Sequence, residues 1–418
     1  MVPTKVAAEN SPSLVLPLEV VVREYDKERD KAAVEEMERR CELGQRGKPS
    51  LVTDLMGDPI CRIRHLPTHV MLVAEYGENE IVGVIRGCVK EATRGNSVFV
   101  KLAYILGLRL YILIVIAVNF PCRRLGIGTK LVRHLEEWCK EKGAEYAYMA
   151  TDCTNEASIN LFTIKCAYKK FRTPTILVQP VHAHYKPISS SANNNIAIVQ
   201  LPTTLAASIY RQLFSQSSEF FPKDIDAILA CNLSLGTFMA LPEKSLAKWD
   251  PQKWTLPPNF AILSVWNTKE VFRLQVKGVS SLTYACCVGT RLVDAWLPWL
   301  RLPSFPNFFK QFGVYFMYGL HMEGEHGNRL MKGLCNFVHN MARDDRGCAA
   351  VVAEVGQRDP VRESVPHWRK FSWAEDTWCV KKLDEAKQGG ERSSSDQFDW
   401  TNTPSSSSSH IFVDPRDF

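Results

Sequence analysis

Residues 123–143 read RRLGIGTKLVRHLEEWCKEKG, and this stretch decides the fold. It joins a glycine-containing turn, R-x-x-G-x-G, to an amphipathic helix that Gly143 ends. Glycines let a backbone approach a phosphate closely, and the N–H groups at a helix N-terminus attract anions. The six residues of the turn match neither the Walker A loop nor the dinucleotide fingerprint. We therefore expect either a strand-to-helix turn that binds a pyrophosphate or a glycine turn without a ligand. The apolar positions of the helix are Leu131, Val132, Leu135, Trp138 and Cys139.

The segments around this turn have the pattern of a mixed α/β domain. A charged helix and a β-hairpin precede a long apolar stretch that runs into the turn. A short strand, a helix opened by Thr154 or Asn155, and a strand from Tyr168 follow it. In order, the first helix covers 26–40, the hairpin strands 69–76 and 81–90, the apolar stretch 102–120, and the short strand 146–150.

The second half of the chain repeats part of this order 199 positions later. A strand-like segment at 314–321 leads through a glycine-containing loop to a helix, and a strand at 349–355 follows. This offset indicates an internal duplication, although any strand-helix-strand unit has a similar pattern. At the same offset Glu325 replaces Gly126 and Met322 replaces Arg123, which removes a cation and adds a repulsive carboxylate. We expect the second half to be a degenerate copy without a phosphate site.

Composition describes a globular protein of two or three domains. The 418 residues are 45% hydrophobic and 23% charged, which excludes a mostly disordered, collagenous or coiled-coil chain. The net charge of +6 suits an anionic ligand but is too small for direct sequence-specific binding of nucleic acid. From linker-like runs we expect a first domain at 18–185, a linker at 186–195, a second domain at 196–383 and a disordered polar tail at 384–418.

Cysteine usage and the N-terminus indicate an intracellular protein. The 13 cysteines lack paired zinc spacing, and Pro67 separates His65 from His69, so no metal site is expected. The first residues lack the pattern of a signal peptide. We expect a location in the nucleus or cytoplasm. Five tryptophans are expected to pack inside the second domain: Trp296, Trp299, Trp368, Trp373 and Trp378.

The order of elements resembles the GNAT superfamily of acetyl-CoA-dependent N-acetyltransferases. This resemblance implies an α/β fold with a mixed α+β sheet, followed by a second, degenerate GNAT-like domain. It also implies that the glycine loop holds the pyrophosphate of acetyl-CoA and that two neighbouring strands separate to admit its pantetheine arm. The coenzyme-binding residues that it implies are Arg123, Arg124, Gly126, Ile127, Gly128, Thr129, Asn155 and Phe162.

Runs along nearly the whole chain are similar to the plant Hookless-type N-acetyltransferases. They include VVREYD (21–26), TDLMGDPICRIRH (53–65), LSLGTF (233–238) and IFVDPRDF (411–418). This resemblance implies a probable N-acetyltransferase of hormone-controlled growth, whose partners are acetyl-CoA and a protein amine, with histone lysines as suggested acceptors. The sequence departs from that family at 111–120, where ten extra residues, YILIVIAVNF, precede the loop. They predict an aberrant insertion, a long strand or part of a membrane span; we expect no membrane partner.

Acetyl transfer needs a base for the amine and an acid for the thiolate. Asp152 is the first candidate base, with capping of the next helix as its alternative. Glu75 is the second, unless it is only a solvated strand end. The family tyrosine is replaced by Phe162, and Tyr168 is an alternative acid unless it is a packed strand aromatic. Because these substitutions weaken the catalytic set, a non-catalytic GNAT-like regulatory or interaction protein is the competing hypothesis.

Overall fold

The structure is a computed structural model of the 418-residue chain. It describes residues 19–41, 50–77, 80–111, 126–189, 195–250, 256–372, 376–383, 399–401 and 410–418.

The described part of the chain forms both strands and helices. The strands are β1 (Val20–Glu24), β2 (Ser50–Asp54), β3 (Thr68–Tyr76), β4 (Glu80–Thr93), β5 (Phe99–Leu110), β6 (Tyr146–Asp152), β7 (Lys169–Arg172), β8 (Thr175–Pro180), β9 (Ile196–Leu201), β10 (Ser218–Glu219), β11 (Ser234–Pro242), β12 (Phe260–Asn267), β13 (Arg273–Lys277), β14 (Gly313–Glu323), β15 (Cys348–Val355), β16 (Asp376–Lys382) and β17 (His410–Ile411). The helices are α1 (Lys27–Cys41), α2 (Ile127–Glu141), α3 (Glu156–Asn160), α4 (Thr203–Phe214), α5 (Ile225–Ala230), α6 (Glu243–Leu246), α7 (Ser281–Trp296) and α8 (Gly327–Asp344).

A seven-stranded sheet with the order β1-β3-β4-β5-β6-β16-β7 forms the first half. All neighbouring pairs in it are antiparallel except β5 and β6. The predicted hairpin is β3–β4, and the predicted amphipathic helix is α2. Apolar residues of α2, among them Leu131, Val132 and Leu135, are fully buried against one face of the sheet. Periodicity therefore predicted both the type and the place of these elements.

A six-stranded sheet with the order β8-β15-β14-β12-β11-β9 forms the second half, with α8 on one face. Strands β14 and β15 are its parallel pair, as β5 and β6 are in the first sheet. Gly107 in β5 and Gly319 in β14 both have φ of +61°, at the same relative place in the two strands. The predicted repeat is therefore present, and the mixed α/β fold class is confirmed.

The two halves exchange strands. Strand β8, which we expected in the first domain, pairs antiparallel with β15 of the second sheet. Strand β16, which we expected in the second domain, pairs antiparallel with β6 of the first sheet. The predicted boundary at 185/186 therefore does not separate the two sheets. In each sheet the second strand of the parallel pair, β6 or β15, pairs antiparallel with a strand from the other half of the chain.

Residues 410–418 are buried between the two sheets. Ile411, Phe412 and Val413 belong to the hydrophobic core that both halves share, and the Phe418 ring stacks on Phe316 with centroids 4.5 Å apart. The prediction of a disordered tail at 384–418 is thus wrong for these nine residues and for 399–401, where Trp400 is buried. The serine-rich composition of the tail outweighed these short apolar segments in the prediction. Residues 384–398 and 402–409 lie outside the described residues.

The tryptophans of the second half do not share one environment. Trp378 is buried and Trp368 half-buried, as expected, but Trp296 and Trp299 are 80% and 70% exposed, so the prediction is wrong for those two. Trp373 and residues 112–120 of the predicted insertion at 111–120 lie outside the described part. Within the described residues, no helix is long and apolar enough to span a bilayer.

Candidate active site

A gap opens in the first sheet between β5 and β6. The two strands pair over a short stretch only, from Leu102 opposite Tyr146 to Ile105 opposite Met149. Beyond that point β5 stays with β4 as far as Leu110, and β6 stays with β16 as far as Asp152. Within the described residues, the edges of the two strands that face each other there have no strand partner. Their backbone N–H and C=O groups are available to a ligand that enters the gap.

A β-bulge shapes the β5 side of this gap. The ladder between β4 and β5 shifts register beside Gly107, whose φ of +61° favours glycine. The buried Arg86 guanidinium fixes the bulge: Nη1 donates to the Gly107 carbonyl at 3.2 Å, Nε to the Pro59 carbonyl at 2.7 Å, and Nη2 to Glu38 Oε1 at 2.5 Å. A Cβ at Gly107 would lie 2.9 Å from Arg86 Nη1. Neither Arg86 nor Gly107 belongs to a motif that could be recognised in the sequence.

The N-terminus of α2 faces open space next to the gap. Gly126 is the N-cap, with φ of +66° and no side-chain cap on the helix. A Cβ built on Gly126 meets no atom of the described residues within 4 Å. The first N–H groups of a helix have no partner inside it and carry the positive end of its dipole. This end of α2, with Ile127 buried and Thr129 half-buried, therefore fits an anionic pyrophosphate. Arg123 and Arg124 lie outside the described residues.

Gly128 has a packing role that the motif alone did not reveal. A Cβ there would come within 3.1 Å of the side chains of both Leu110 and Leu161. Gly128 thus lets the end of β5 and the π-helical turn Leu161–Lys165 close onto α2.

The predicted second coenzyme motif surrounds α3. The Asn155 side chain caps α3 by accepting from the Ser158 N–H at 3.2 Å. Phe162 is buried and packs edge-on against Tyr168, with centroids 5.2 Å apart. Burial raises the pKa of Tyr168 well above its usual value, and its ring lies in the core between α2 and the sheet. The structure therefore brings Phe162 and Tyr168 together on the α2 side, where the Tyr168 phenol is enclosed by protein.

Asp152 lies at the mouth of the gap and faces a second carboxylate. Its Oδ1 accepts from the N–H and hydroxyl of Thr154, at 2.7 and 2.6 Å. Directly opposite in the β6–β16 ladder is Asp376, whose pKa burial and then the Asp152 charge raise to about 6. Asp152 was predicted as a base from the sequence, whereas Asp376 was not. Asp376 carried no signal, because only the exchange of β16 into the first sheet brings it here.

Glu354, from β15 of the second sheet, is a third carboxylate in this region. It accepts from the Trp378 indole N–H at 3.2 Å, and Trp378 packs against Tyr148 of β6. Burial, followed by the charges of Asp376 and Asp417, raises the pKa of Glu354 to about 8. Glu354 lines a small cavity with Tyr318, Gly319 and His410, and its charge interacts with that of Asp376. A carboxyl group with so strongly raised a pKa is a candidate for proton transfer. Glu354 was also missed, since it lies in the half expected to lack a site.

Glu75 is separate from this group. It lies on β3, two strands from β5, and its carboxylate is held by Arg23 at 2.7 Å and Arg29 at 2.6 Å. The structure thus places it in an ion-pair network beside α1, whereas Asp152 remains at the gap.

A cleft of about 1210 Å³ begins beside Asp152 and extends over the second half. Cys153 and Thr175 line the end next to β6, and Asn328 lines the part at the start of α8. Three arginines also line it: Arg358, Arg362 and Arg369. Asp359, in the same wall, is already paired with His410 at 2.8 Å. Glu363 also lines the cleft, so three arginines face two carboxylates. The cleft is therefore large enough for an extended segment and has a small surplus of positive charge.

Comparison with known proteins agrees with this geometry. The Acetyltransferase (GNAT) family model matches residues 32–168. "Probable N-acetyltransferase HLS1-like" of Arabidopsis thaliana is 45% identical over 96% of this chain and 99% of its own length. "Probable N-acetyltransferase HLS1" of the same species is 46% identical over 95% of this chain and all of its own. Saccharomyces cerevisiae N-myristoyltransferase, crystallised with bound myristoyl-CoA, is similar in fold, with a TM-score of 0.51 at 8% identity over 90% of this chain and 81% of that one. The chain therefore belongs to the GNAT acetyltransferase family, together with the HLS1-like probable N-acetyltransferases.

Proposed function

We propose that this protein transfers the acetyl group of acetyl-CoA to the amine of a protein lysine. Membership of the GNAT family implies an acyl-CoA cosubstrate. The family resemblance supports three finer proposals: that the cosubstrate is acetyl-CoA, that the acceptors are histone lysines, and that the protein acts in hormone-controlled growth in the nucleus or cytoplasm. The observation that carries the proposal is the opening between β5 and β6 directly beside the uncapped N-terminus of α2.

Different residues around this opening bind different parts of the coenzyme. The N–H groups at the start of α2 hold the pyrophosphate, and the open position at Gly126 leaves room for it. The unpaired edge of β5 beyond Ile105 offers backbone groups to the amides of the pantetheine arm. The Gly107 bulge, fixed by Arg86, sets the direction of that edge. Bound acetyl-CoA supplies the activated acyl group.

Proton transfer falls to the carboxylates at the mouth of the gap. A lysine amine, with a pKa near 10.4 in water, must lose a proton before it can attack a thioester directly. Asp376, with a pKa of about 6, is mostly ionised at neutral pH and can accept that proton. The charge of Asp152, opposite it in the ladder, helps to raise the pKa of Asp376 and so makes Asp376 a stronger base. Glu354, with a pKa of about 8, remains mostly protonated at pH 7 and is a store of protons for the leaving thiolate.

The cleft next to Asp152 accommodates the acceptor. Arg362 and Arg369 form no ion pair within the part of the chain that the structure describes, so they are available to an anionic acceptor group. We therefore expect a lysine with acidic neighbours to be acetylated faster than a lysine in a basic histone tail.

Calorimetric titration with acetyl-CoA tests the coenzyme site. Asp and Asn tolerate positive φ better than other side chains, and both fit the open space at Gly126. Gly126→Asp places a negative charge at the pyrophosphate and should weaken binding at least tenfold relative to the matched control Gly126→Asn. Equal affinities of the two folded variants would exclude this site.

An acetylation assay tests the reaction. Purified protein is incubated with acetyl-CoA and with lysine peptides flanked either by acidic residues or by a histone-tail sequence, over about pH 6 to 9. Acetylation that is lost in Gly126→Asp supports the transferase. Binding of acetyl-CoA without acetylation of any peptide would favour the non-catalytic alternative, which the enclosed Tyr168 phenol and the apolar Phe162 support.

A further inference from the structure

The cleft beside Asp152 contains a buried hydroxyl group without a partner. Thr175, the first residue of β8, is 5% exposed, and its Oγ1 forms no hydrogen bond with any described residue of the chain. A buried hydroxyl is normally hydrogen-bonded, because leaving it unpaired costs free energy. Since Thr175 lines the cleft, its hydroxyl is placed to donate to a ligand there.

The N-terminus of α8 lies at the same edge of the second sheet. Thr175 is opposite Val355, the last residue of β15. Strand β15 runs parallel to β14, whose end leads into α8. Asn328, in the first turn of this 18-residue helix, also lines the cleft, and the N-cap residue His326 makes no side-chain hydrogen bond to the helix. The first N–H groups of α8 therefore attract negative charge.

Arginines supply the rest of the positive charge. Three of them, on the loop between β15 and β16, line the cleft: Arg358, Arg362 and Arg369. Of the two carboxylates in the wall, Asp359 is already engaged, because one oxygen pairs with His410 at 2.8 Å and the other accepts from the Val361 N–H at 3.0 Å. Glu363 is the remaining carboxylate that lines the cleft. The positive charge of this wall therefore exceeds its negative charge.

The loop that carries the arginines is anchored on both sides of the cleft. The Ser364 hydroxyl donates to Asn328 Oδ1 at 2.7 Å, which joins the loop to α8. On the other side, the Trp368 N–H donates to the Val178 carbonyl at 2.9 Å, and the Ser372 hydroxyl accepts from the Val178 N–H at 3.1 Å. The wall is therefore held in place before a ligand binds, which lowers the cost of binding.

We propose that this wall binds the phosphate group of a phosphorylated protein, so that the preferred acceptor is a lysine near a phosphorylated residue. A phosphate offers three oxygens, and arginine side chains, a hydroxyl and helix N–H groups are donors that bind it. A carboxylate has two oxygens and a single charge, so it satisfies fewer of these donors. The position of the lysine next to Asp152 rests on the proposed function.

The second half thus provides its cations from a different place than the first half. At the turn before α8, Met322 and Glu325 replace the arginine and glycine of the first loop. The loop after β15 carries the arginines instead. The expectation that the second half lacks a phosphate site therefore applies to that turn and not to the cleft.

Binding of phosphopeptides to the full chain tests the site independently of acetylation. Each labelled peptide contains one lysine and a phosphoserine about two to eight residues away, since an extended chain spans roughly 3.3 to 3.6 Å per residue. Fluorescence anisotropy compares each with matched serine and glutamate peptides. We expect at least one phosphopeptide to bind about tenfold more tightly than both counterparts. If no phosphopeptide binds more tightly, the proposal is wrong.

Variants of the wall locate the phosphate. Arg362→Gln and Arg369→Gln should each reduce the ratio of phosphoserine-peptide to serine-peptide affinity about tenfold. Arg346→Gln, at an exposed arginine outside the cleft, is the matched control and should leave this ratio unchanged. A ratio that both cleft variants leave intact would place the phosphate elsewhere and overturn the proposal.

Thr175→Val separates a ligand-binding hydroxyl from a structural one. It replaces an unpaired buried hydroxyl with a methyl group, so it should weaken phosphopeptide binding without lowering the unfolding temperature. A variant that loses stability and keeps its phosphopeptide affinity would show that the hydroxyl serves the fold, and would overturn the site.

Acetyl-CoA also carries phosphates, so calorimetry measures its affinity for the double variant Arg362→Gln/Arg369→Gln. Unchanged affinity for acetyl-CoA with weakened phosphopeptide binding supports the proposal, whereas the reverse result would assign the arginines to the coenzyme and overturn it. Acetylation assays separate the two proposals. Selective phosphopeptide binding without acetylation of any peptide would contradict the transferase and support this site. Equal binding and equal acetylation of serine and phosphoserine peptides would support the transferase and contradict this site.

Discussion

Lys90 and Asp417 lie 327 positions apart in the chain and form a buried ion pair, with Lys90 Nζ 2.6 Å from both carboxylate oxygens of Asp417. The same carboxylate accepts from the Tyr148 hydroxyl at 2.5 Å, and Asp414 adds a second carboxylate 3.1 Å from the ammonium. Lys90 lies on β4 and Tyr148 on β6, either side of the strand whose edge opens the gap. The buried segment 410–418 therefore links β4 and β6 next to the candidate active site and stabilises their positions.

Removing Asp417 should destabilise the protein strongly. Asp417→Ala removes the acceptor of the Tyr148 hydroxyl and one of the two carboxylates that contact the buried Lys90 ammonium, while Asp414 remains beside it. Losing buried hydrogen bonds to a charged group costs about 1.5 to 3 kcal/mol. The exposed pair of Lys223 and Glu91 is the matched control, and Glu91→Gln should change the free energy of unfolding by less than about 1 kcal/mol. Urea unfolding measures both values. Similar small losses in the two variants would show that the terminal segment does not brace the sheet.

The stability of the fold should fall as the pH rises through neutrality, because of Glu354. Its pKa is raised from 4.5 to about 8 by burial, so the folded chain binds a proton that the unfolded chain has released. The stabilisation is complete below about pH 4.5 and is lost as the pH rises through about 8.

Glu354→Gln, which stays neutral at every pH, should remove part of this slope and raise the free energy of unfolding at pH 8.5 by roughly 1 to 3 kcal/mol. Glu363→Gln, at an exposed carboxylate of the same half, serves as the control. Unfolding curves recorded from pH 5 to 9 give the comparison. A slope that Glu354→Gln leaves intact would show that the carboxyl group is ionised in the folded chain.

The acidic limb of the pH–rate profile should follow the Asp152–Asp376 pair. Its midpoint is expected near pH 6, the pKa of Asp376. Asp152→Asn removes a negative charge that raises this pKa, so the limb should move to lower pH by up to about one unit. Asp376→Asn should abolish the limb and slow the reaction by about a hundredfold or more. Acetylation rates of a lysine peptide, measured from pH 5 to 9 for the wild type and both variants, test these shifts. An acidic limb that neither substitution moves would show that a different group is the base.

Local sequence signals predicted the elements of each half but not how the halves combine. The period of Leu131, Val132 and Leu135 predicts α2 because a helix buries one stripe of side chains. Nothing in residues 175–180 or 376–382 indicates which sheet they join, because strand pairing depends on partners far away in the chain. Asp376 reaches the gap only through that exchange, and Glu354 meets Trp378 of the exchanged strand from β15 of the other sheet, so no local motif could identify them. Gly128 was recognised as part of the loop, but its contact with Leu110 and Leu161 is visible only in the fold.

Deleting the inserted residues 112–120 should preserve the fold and improve solubility. Tyr111 still belongs to the sheet, where its N–H donates to the Val82 carbonyl at 2.9 Å, so it is retained. The Leu110 side chain lies against Gly128, so the described segments on either side are close, and residues 121–125 remain to connect them. Eight of these nine residues are apolar, and an apolar run of this length favours aggregation when it is exposed. We expect the deletion variant to yield more soluble protein with an unfolding temperature unchanged within a few degrees, and to bind acetyl-CoA at least as tightly. A matched deletion of the polar residues 402–409 controls for shortening the chain. If the 112–120 variant fails to fold while the control folds, the inserted segment is part of the core and the insertion hypothesis is wrong.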